Sequence, residues 1–355
     1  MVLPEAQRGS RIVPTMVVMA GVSHDPVNDL TWFFRWIPKT SLRLAYVYTQ
    51  IDPYRFNARA ILLTIRDGVR ATLRARSERA TAIFCTGLLN GLIVALVSAV
   101  LPPSKKTRLL LYDFASSTLL SGNRVISSIA RATLSRVDLV FCYNSSQMRV
   151  WQSLFGKDVG IEHLDLGVDP IDLSTRATNE GYIFCGGRAR RDLVTFCKTI
   201  DKVTEPVVII VDRDPLTGRY PVIPCLRRPN LSVLRTTSFS EFKKLLKSST
   251  FVVIPLTRTR FVAGSAVCLN AMSFGKPVIG TRNPGLDDFI EDGVNGFLVS
   301  PGNSDELQSR MELLLTNSNL VKKMGENARI RAKEMSYDKV ASRFLEVITS
   351  FGIIS

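Results

Sequence analysis

The sequence predicts an α/β protein with two parallel sheets, because short apolar runs alternate with helical stretches along both halves of the chain. Such alternation is typical of strand-helix-strand units, in which helices cover both faces of a sheet. A length of 355 residues accommodates two domains of ordinary size. With 46% hydrophobic and 22% charged residues, the chain has the composition of a folded protein, so every segment is expected to be structured.

In the first half, apolar runs mark the strands and amphipathic segments mark the helices. The predicted strands are PTMVVMAGV, LRLAYVY, AIFCTG, RLLLYDF and DLVFCYN. Helices are expected over about 59–79 and 121–134, the second ending just before the last of these strands. Together these elements form a first Rossmann-like domain, which we place at 1–169.

One uncharged stretch, 81–101, is nominally long enough to cross a bilayer. However, Thr86, Gly87 and Asn90 lie inside it, and two prolines follow it. A buried strand, a turn and a buried helix produce the same apolar run. Because RLLLYDF follows at the right distance, we expect a β-α-β unit here rather than a membrane span.

The second half repeats the alternation with six further apolar runs. They are GYIFCGG, PVVIIVDR, LSVLRTTS, TFVVIPL, KPVIGT and NGFLVSP. Between the halves, around HLDLGVDPIDLSTRATNEG, periodicity fails and turn-forming residues cluster, so the boundary is placed near Asp169. The second Rossmann-like domain is therefore 170–335, and a final helical segment, 336–355, follows it. In such folds, ligands bind at the carboxyl ends of the strands, which here face a central cleft.

Several simple site types are disfavoured. The six cysteines form no C-x-x-C pair, and the two histidines complete no metal motif. We therefore expect neither a zinc site nor a disulfide framework. This use of cysteine is typical of proteins in a reducing compartment. Asp212-Arg213-Asp214 is interpreted as a turn after a strand, so no metal cofactor is expected. No secretory signal is recognised, which favours a cytoplasmic location.

A net charge of +15 predicts an anionic partner: nucleic acid, lipid headgroups or phosphorylated small molecules. Nucleic acid is disfavoured, because no base-reading module is recognisable. Arg66, Arg70 and Arg74 recur every four residues and so share one side of a helix. Two interpretations stay open for this stripe: contact with an anionic membrane surface or acceptor, and an ordinary solvated helix face.

Two segments of the second half could hold a phosphate. Ala263-Gly264-Ser265 opens a helix after TFVVIPL, and helix N-termini present free N–H groups and partial positive charge. The alternative is an ordinary tight turn. In GYIFCGGRARRD, Gly186 and Gly187 let the backbone approach a ligand closely, and the arginines that follow stand at the carboxyl end of the strand.

The block NAMSFGKPVIGT, followed by DFIEDGVNGFLVSPGNSDEL, resembles the C-terminal domain of GT-B glycosyltransferases related to family 4, also called group 1. The order and spacing of the motifs persist over roughly 50 residues. The resemblance implies two facing Rossmann-like domains and a nucleotide-sugar donor, expected to be UDP-linked, held by the second domain. It also implies a first diphosphate-binding arginine at Arg188. The family's second basic position is Leu193 here, so Arg191 is the expected substitute, with Arg190 as the second choice. The alternative is a solvated arginine cluster at a helix start. The resemblance also implies that the final helical segment, 336–355, packs back toward the first domain.

The chain departs from the family at its pair of glutamates, whose positions hold Val262 and Asn270. The Asn270 amide can still hydrogen-bond a ribose hydroxyl. Val262 cannot do so through its side chain, so backbone groups from Val262 to Ser265, including Ala263, are expected to contact the donor.

Candidates for the acceptor side lie at strand ends of the first domain. His24 and Asp25 follow PTMVVMAGV, and Asp113 ends RLLLYDF, roughly where relatives often carry a histidine. An inverting transferase needs a base to remove the acceptor proton, whereas retaining relatives use a polar residue here to steady the sugar. For each residue, a turn or helix-cap role is the alternative.

These observations predict a metal-independent hexosyltransferase that uses a saccharide or lipid-linked acceptor in cell-envelope or exopolysaccharide synthesis. It would work in the cytoplasm or at the inner face of the membrane. Because both family glutamates are missing, the alternative is a catalytically silent GT-B-like scaffold that binds nucleotide or membrane.

Overall fold

The computed structural model describes residues 13–21, 32–49, 58–104, 106–113, 128, 131–171, 173–174, 178–187, 190–213, 219–235, 237–259 and 262–354. Within these ranges, the chain forms two six-stranded sheets in which every strand pair is parallel. The predicted α/β class with two Rossmann-like sheets is confirmed.

The first sheet has the strand order β2-β1-β3-β4-β5-β6. Its strands are β1 (Thr15–Gly21), β2 (Arg43–Thr49), β3 (Ala82–Thr86), β4 (Arg108–Asp113), β5 (Leu139–Cys142) and β6 (Gly160–His163). The helices described here are α1 (Ala58–Ser77), α2 (Leu88–Val100) and α3 (Ser145–Phe155), and a 3-10 turn covers Trp32–Trp36.

The apolar stretch 81–101 divides as predicted between a buried strand, β3, and a helix, α2. Gly87 stands between them with φ +83°, a left-handed conformation that glycine adopts without strain. The chain thus turns directly from the strand into the helix. Among the helices in the described ranges, none is long and apolar enough to cross a membrane.

The second sheet has the strand order β12-β11-β10-β7-β8-β9. Its strands are β7 (Ile183–Gly186), β8 (Val207–Val211), β9 (Leu231–Arg235), β10 (Phe251–Ile254), β11 (Val278–Thr281) and β12 (Gly296–Val299). The helices that follow α3 are α4 (Leu193–Thr199), α5 (Phe239–Ser248), α6 (Ser265–Ser273), α7 (Ser304–Thr316), α8 (Ser318–Glu334) and α9 (Tyr337–Ser350).

Each sheet reverses its direction of growth once. From β7 the chain adds β8 and β9 on one side, and then crosses to add β10, β11 and β12 on the other. The first sheet behaves alike between β1 and β3. At such switch points the loops leave in opposite directions, which opens a crevice at the carboxyl ends of the two central strands.

The last helix returns to the first sheet. Phe344 of α9 is fully buried, and its ring lies 5.3–5.5 Å from the rings of Phe33, Phe34, Phe84 and Phe141. Arg343 adds an ion pair with Glu162 at 3.2 Å. The aromatic packing fixes the end of the chain against the first domain. The predicted boundaries at 169 and 335 remain predictions.

The cysteine arrangement departs from expectation at one pair. Cys197 in α4 and Cys225, 28 residues further on, form a disulfide, whereas we expected none. The scattered spacing concealed the pair, because the segment before β9 folds back over α4, a tertiary contact that spacing does not encode. The other four cysteines are buried free thiols.

Candidate donor site

The switch point of the second sheet joins two loops into one unit. The loop after β7 and the loop after β10 exchange backbone hydrogen bonds: Asp192 N donates to Pro255 O at 2.9 Å, and Thr257 N donates to Arg190 O at 3.0 Å. The crevice wall is therefore hydrogen-bonded backbone rather than independent loops. A ligand group bound here would meet a pre-formed surface.

Arg191 lies in the centre of this unit. Its Nε donates to the carbonyl oxygen of Gly186 at 2.8 Å, and a Cβ at Gly187 would overlap its guanidinium. Gly187 also has φ +121°, which L side chains rarely adopt. Glycine was predicted here because it lets the backbone approach a ligand. The structure adds a second reason, because Gly187 leaves room for the Arg191 guanidinium. Burial lowers the pKa of Arg191 to about 10, so the group stays cationic at neutral pH.

The neighbouring residue carries backbone strain. Arg190 has φ +56°, a left-handed conformation that costs an L residue about 1–2 kcal/mol. Such conformations persist where surrounding contacts fix the backbone, often at functional sites. Here the Arg190 carbonyl is held by Thr257. Arg188, the other predicted diphosphate ligand, lies outside the described residues, and its role remains a prediction.

The start of α6 forms the second part of the site. Gly264 precedes the helix with φ +86°, and a Cβ there would crowd Ile254 and Leu286 at 3.0 and 3.2 Å. Ser265 is buried, and its hydroxyl donates to the carbonyl oxygen of Gly285 at 2.7 Å. What the helix start can offer a phosphate is therefore its backbone N–H groups and partial positive charge, while the Ser265 side chain holds the turn.

A third loop, after β11, supports this turn. Gly285 packs so closely on it that a Cβ would overlap the backbone of Ala263. Asn283 accepts from the Gly285 N–H at 2.6 Å, and Thr281 accepts from the Leu256 N–H at 2.9 Å. Sequence reasoning did not identify these supporting residues. The Asn-Pro-Gly turn signal at 283–285 could have indicated a tight turn, although not what it packs against.

Asn270 lies on α6, two turns beyond Gly264, and is half-buried. Its Nδ2 donates to the Ala266 carbonyl at 2.8 Å, which leaves Oδ1 as the atom that can accept from a hydroxyl. Val262 packs against the apolar core, and Ala263 is buried. Their side chains therefore serve packing, and any donor contact at these two positions would use the backbone.

Of the three acceptor-side candidates, the structure describes Asp113. His24 and Asp25, which follow β1 at the switch point of the first sheet, lie outside the described residues. Asp113 has no exposed surface, and its Oδ2 accepts from the indole Nε1 of Trp151 at 2.9 Å. Its charge also raises the pKa of the Cys142 thiol, a minor addition to the effect of burial. The bond to Trp151 gives Asp113 a structural role, and its predicted role toward an acceptor remains a prediction.

The basic stripe is present on α1, but its charges are paired. Arg66 and Arg70 flank the buried carboxylate of Asp67 at 2.8 and 3.5 Å. Arg74 pairs with Glu78 at 2.7 Å and donates to the carbonyl oxygen of Tyr46. All three arginines remain exposed. The predicted alignment holds, whereas the net positive charge that the stripe offers is smaller than the count of arginines indicated.

Comparison with known proteins supports the resemblance of the second half to group 1 glycosyltransferases. Residues 225–331 match the family model "Glycosyl transferases group 1". An uncharacterised glycosyltransferase of Methanocaldococcus jannaschii is 32% identical over 110 residues, which cover 31% of this chain and 30% of the relative. The chain therefore matches less than a third of that relative's length.

Solved structures resemble the whole fold. Sucrose-phosphate synthase of Thermosynechococcus elongatus superposes with a TM-score of 0.70 at 12% identity, over 96% of this chain and 99% of that one. HepE of Anabaena, solved in complex with UDP and glucose, superposes with a TM-score of 0.70 at 12% identity, over 95% of this chain and 100% of that one. At such identity the likeness concerns the fold. The chain has the GT-B fold, and residues 225–331 of its second half match the model of the group 1 glycosyltransferase family.

Proposed function

We propose that the protein transfers a sugar from a nucleotide diphosphate sugar to a hydroxyl acceptor, with the donor diphosphate at the switch point of the second sheet. The observation that carries the proposal is the position of Arg191. A half-buried guanidinium lies at the carboxyl end of β7, hydrogen-bonded to Gly186, beside a loop that leads to the start of α6. Cationic and N–H groups at this edge suit an anion.

The same groups suit the chemistry of transfer. When the bond between the sugar C1 and the diphosphate breaks, negative charge develops on the departing nucleoside diphosphate. A fixed cation in a low-dielectric site stabilises that charge without reorganisation. Arg191 would supply this stabilisation together with the N-terminus of α6, and we propose that no metal ion is required.

For the nucleoside, we propose that the Asn270 Oδ1 accepts from a ribose hydroxyl. A uridine-based donor is supported by the HepE complexes with UDP and UDP-glucose, which share the fold. Since an amide accepts more weakly than a carboxylate, nucleotide affinity is expected to depend more on Arg191 than on this contact.

For the acceptor, we propose a saccharide or a lipid-linked saccharide, as in cell-envelope or exopolysaccharide synthesis, met at the inner face of a membrane. Large apolar side chains on α1 and α2 support membrane contact: Leu62, Leu73, Leu96 and Val100 are 66%, 50%, 56% and 81% exposed. The two helices are neighbours, because α2 packs against Gly68 of α1. Exposed apolar groups beside arginines are typical of surfaces that bind anionic bilayers.

The direct test is release of free nucleotide from a panel of UDP-, GDP- and ADP-sugars, with a saccharide acceptor mixture and with Arg191→Ala as the matched variant. We expect turnover of one donor class, reduced at least roughly tenfold in the variant, which corresponds to about 1.4 kcal/mol. Nucleotide binding without turnover of any donor would favour the second candidate, a silent scaffold, which the replacement of both family glutamates by Val262 and Asn270 motivates.

A further inference from the structure

One side chain of the second domain caps a helix of the first. Asp288, in the loop after β11, accepts from the backbone N–H of Ser145 at 2.6 Å and from the Ser145 hydroxyl at 2.8 Å. Ser145 is the first residue of α3. Asn144 caps the same helix from within by accepting from Gln147 N at 2.9 Å. The Ser145 N–H therefore meets a carboxylate that belongs to the other sheet.

This arrangement is favourable on electrostatic grounds. The first N–H groups of a helix have no partner within the helix, and the positive end of the helix dipole attracts an anion. A carboxylate that accepts two hydrogen bonds there satisfies both requirements. Arg331 of α8 donates to the Asp288 carbonyl at 3.3 Å and pairs with Glu334 at 2.9 Å, which holds the backbone of this residue in place.

The loop that carries Asp288 is the one that supports the donor turn. Three residues earlier, the Gly285 carbonyl accepts from Ser265 at the start of α6. Leu286 lies beneath Gly264, within 3.2 Å of the position a Cβ would take. Asp287 accepts from Asn283 N at 3.1 Å and so stiffens the loop. A displacement of Asp288 would therefore reach the turn that is proposed to bind the diphosphate.

At its other end, the contact is fastened to the first sheet. Trp151 of α3 is fully buried, donates to Asp113 at the end of β4, and stacks on Phe155 at 5.2 Å. The helix cannot tilt without breaking this packing. The chain of contacts thus runs from β4 through α3 to Ser145, across to Asp288, and on to the donor turn.

From these contacts we infer that Asp288 is a positioning residue, which holds the two sheets together at the cleft through Ser145 and so fixes the donor turn. The inference rests on the proposed function only for the role of that turn. The contact between the domains is tested separately, in the absence of any ligand.

The test is a distance measurement by pulsed electron paramagnetic resonance on full-length protein without nucleotide. Spin labels are attached to cysteines introduced at Lys157 and Lys323, two exposed positions on the first and second domains. We expect one narrow distance distribution for the labelled parent, and a broader, longer one when Asp288→Ala is added. Ser145→Ala, which removes only the hydroxyl, should give an intermediate distribution.

Matched controls remove similar groups close by. Glu291→Gln neutralises an exposed carboxylate three residues further along, and Ser146→Ala removes the neighbouring hydroxyl. Both should leave the parent distribution unchanged. If Asp288→Ala also leaves it unchanged in protein with a native circular dichroism spectrum, the inference is overturned. The milder Ser145→Ala keeps the test decisive should the Asp288 variant misfold, because the same unchanged distribution overturns the inference there as well.

A second readout separates positioning from mere stability. In Asp288→Ala, affinity for UDP should fall about tenfold, while Asp288→Glu should recover most of it; equal UDP affinity in parent and Asp288→Ala overturns the link to the donor turn. If the parent binds no UDP at all, the proposed function fails, whereas the ligand-free distance result still decides the contact between the domains.

Discussion

Arginines in two regions of the molecule were predicted to meet anions, and the structure treats them differently. On α1, Arg66, Arg70 and Arg74 stand in water beside carboxylates. At the end of β7, Arg191 is half-buried, and its guanidinium packs against Gly186 and Gly187. In water, an ion pair is screened and contributes little, whereas a charge withdrawn from solvent acts strongly on whatever reaches it. A function that needs a fixed cation is better served by the second arrangement.

Local sequence identifies where arginines cluster, but not which of them is partly buried in the folded protein. The i, i+4 spacing correctly predicted that the three arginines share one side of α1, because this alignment is a property of a single helix. The partly buried position of Arg191 depends instead on two glycines, on the left-handed conformation of Arg190 and on hydrogen bonds to the loop after β10. Of these, only the glycines could be recognised from the sequence.

The largest effect is expected from Gly187→Ala. The added methyl group would overlap the Arg191 guanidinium, and the residue must keep φ +121°. UDP affinity should fall more than about tenfold, roughly 1.4 kcal/mol, by calorimetric titration. Gly181→Ala is the control, because Gly181 also has a positive φ, +78°, but faces open space. It should cost about 1–2 kcal/mol of stability without weakening UDP. Equal losses of affinity in both variants would mean that backbone strain, not displacement of Arg191, is responsible.

A second effect concerns Asp113, a carboxylate that the structure buries. Asp113→Ala leaves the Trp151 N–H without its acceptor and should lower the free energy of unfolding by about 1–3 kcal/mol in a denaturant titration. Asp113→Asn keeps an acceptor oxygen and should retain both most of the stability and most of the turnover. Turnover abolished in a stable Asp113→Asn protein would support the predicted catalytic role instead.

The smallest effect on UDP binding is expected on α1. Replacing Arg66, Arg70 and Arg74 together by glutamine should leave UDP affinity unchanged but should lower the thermal unfolding midpoint, because the buried Asp67 carboxylate loses its pairs with Arg66 and Arg70. Binding to vesicles that contain anionic lipid should weaken, and more so at low salt, where screening is least. Lys322, Lys323 and Lys333 on α8, changed to glutamine, remove the same charge elsewhere. If both triple variants lose vesicle binding alike, only the net charge matters and the surface on α1 has no special part.

Much of the fold could be predicted because it rests on local periodicity. The division of 81–101 into β3 and α2, and the α/β alternation of both halves, follow from apolar spacing and turn residues. The match to the group 1 family also follows from local motifs, and its region 225–331 includes the block recognised in the sequence.

The rest depends on contacts between distant segments. Nothing near Asp113 in sequence announces Trp151, 38 residues later, as its partner. The pairing of Cys197 with Cys225 and the packing of Gly285 on Ala263 are likewise tertiary. Ser265 was predicted to assist a phosphate, and it is the first residue of α6. Its hydroxyl, however, donates to the carbonyl oxygen of Gly285 in another loop. Candidate site residues could be predicted from the sequence, whereas the contacts that each of them makes could not.

The most direct test of the account is calorimetric titration of UDP into three proteins: the parent chain, Arg191→Ala and the α1 triple variant. We expect micromolar binding in the parent, an affinity at least about tenfold lower in Arg191→Ala, and parent-like affinity in the α1 variant. Unchanged affinity in a folded Arg191→Ala protein would contradict the proposal that this half-buried arginine holds the donor diphosphate.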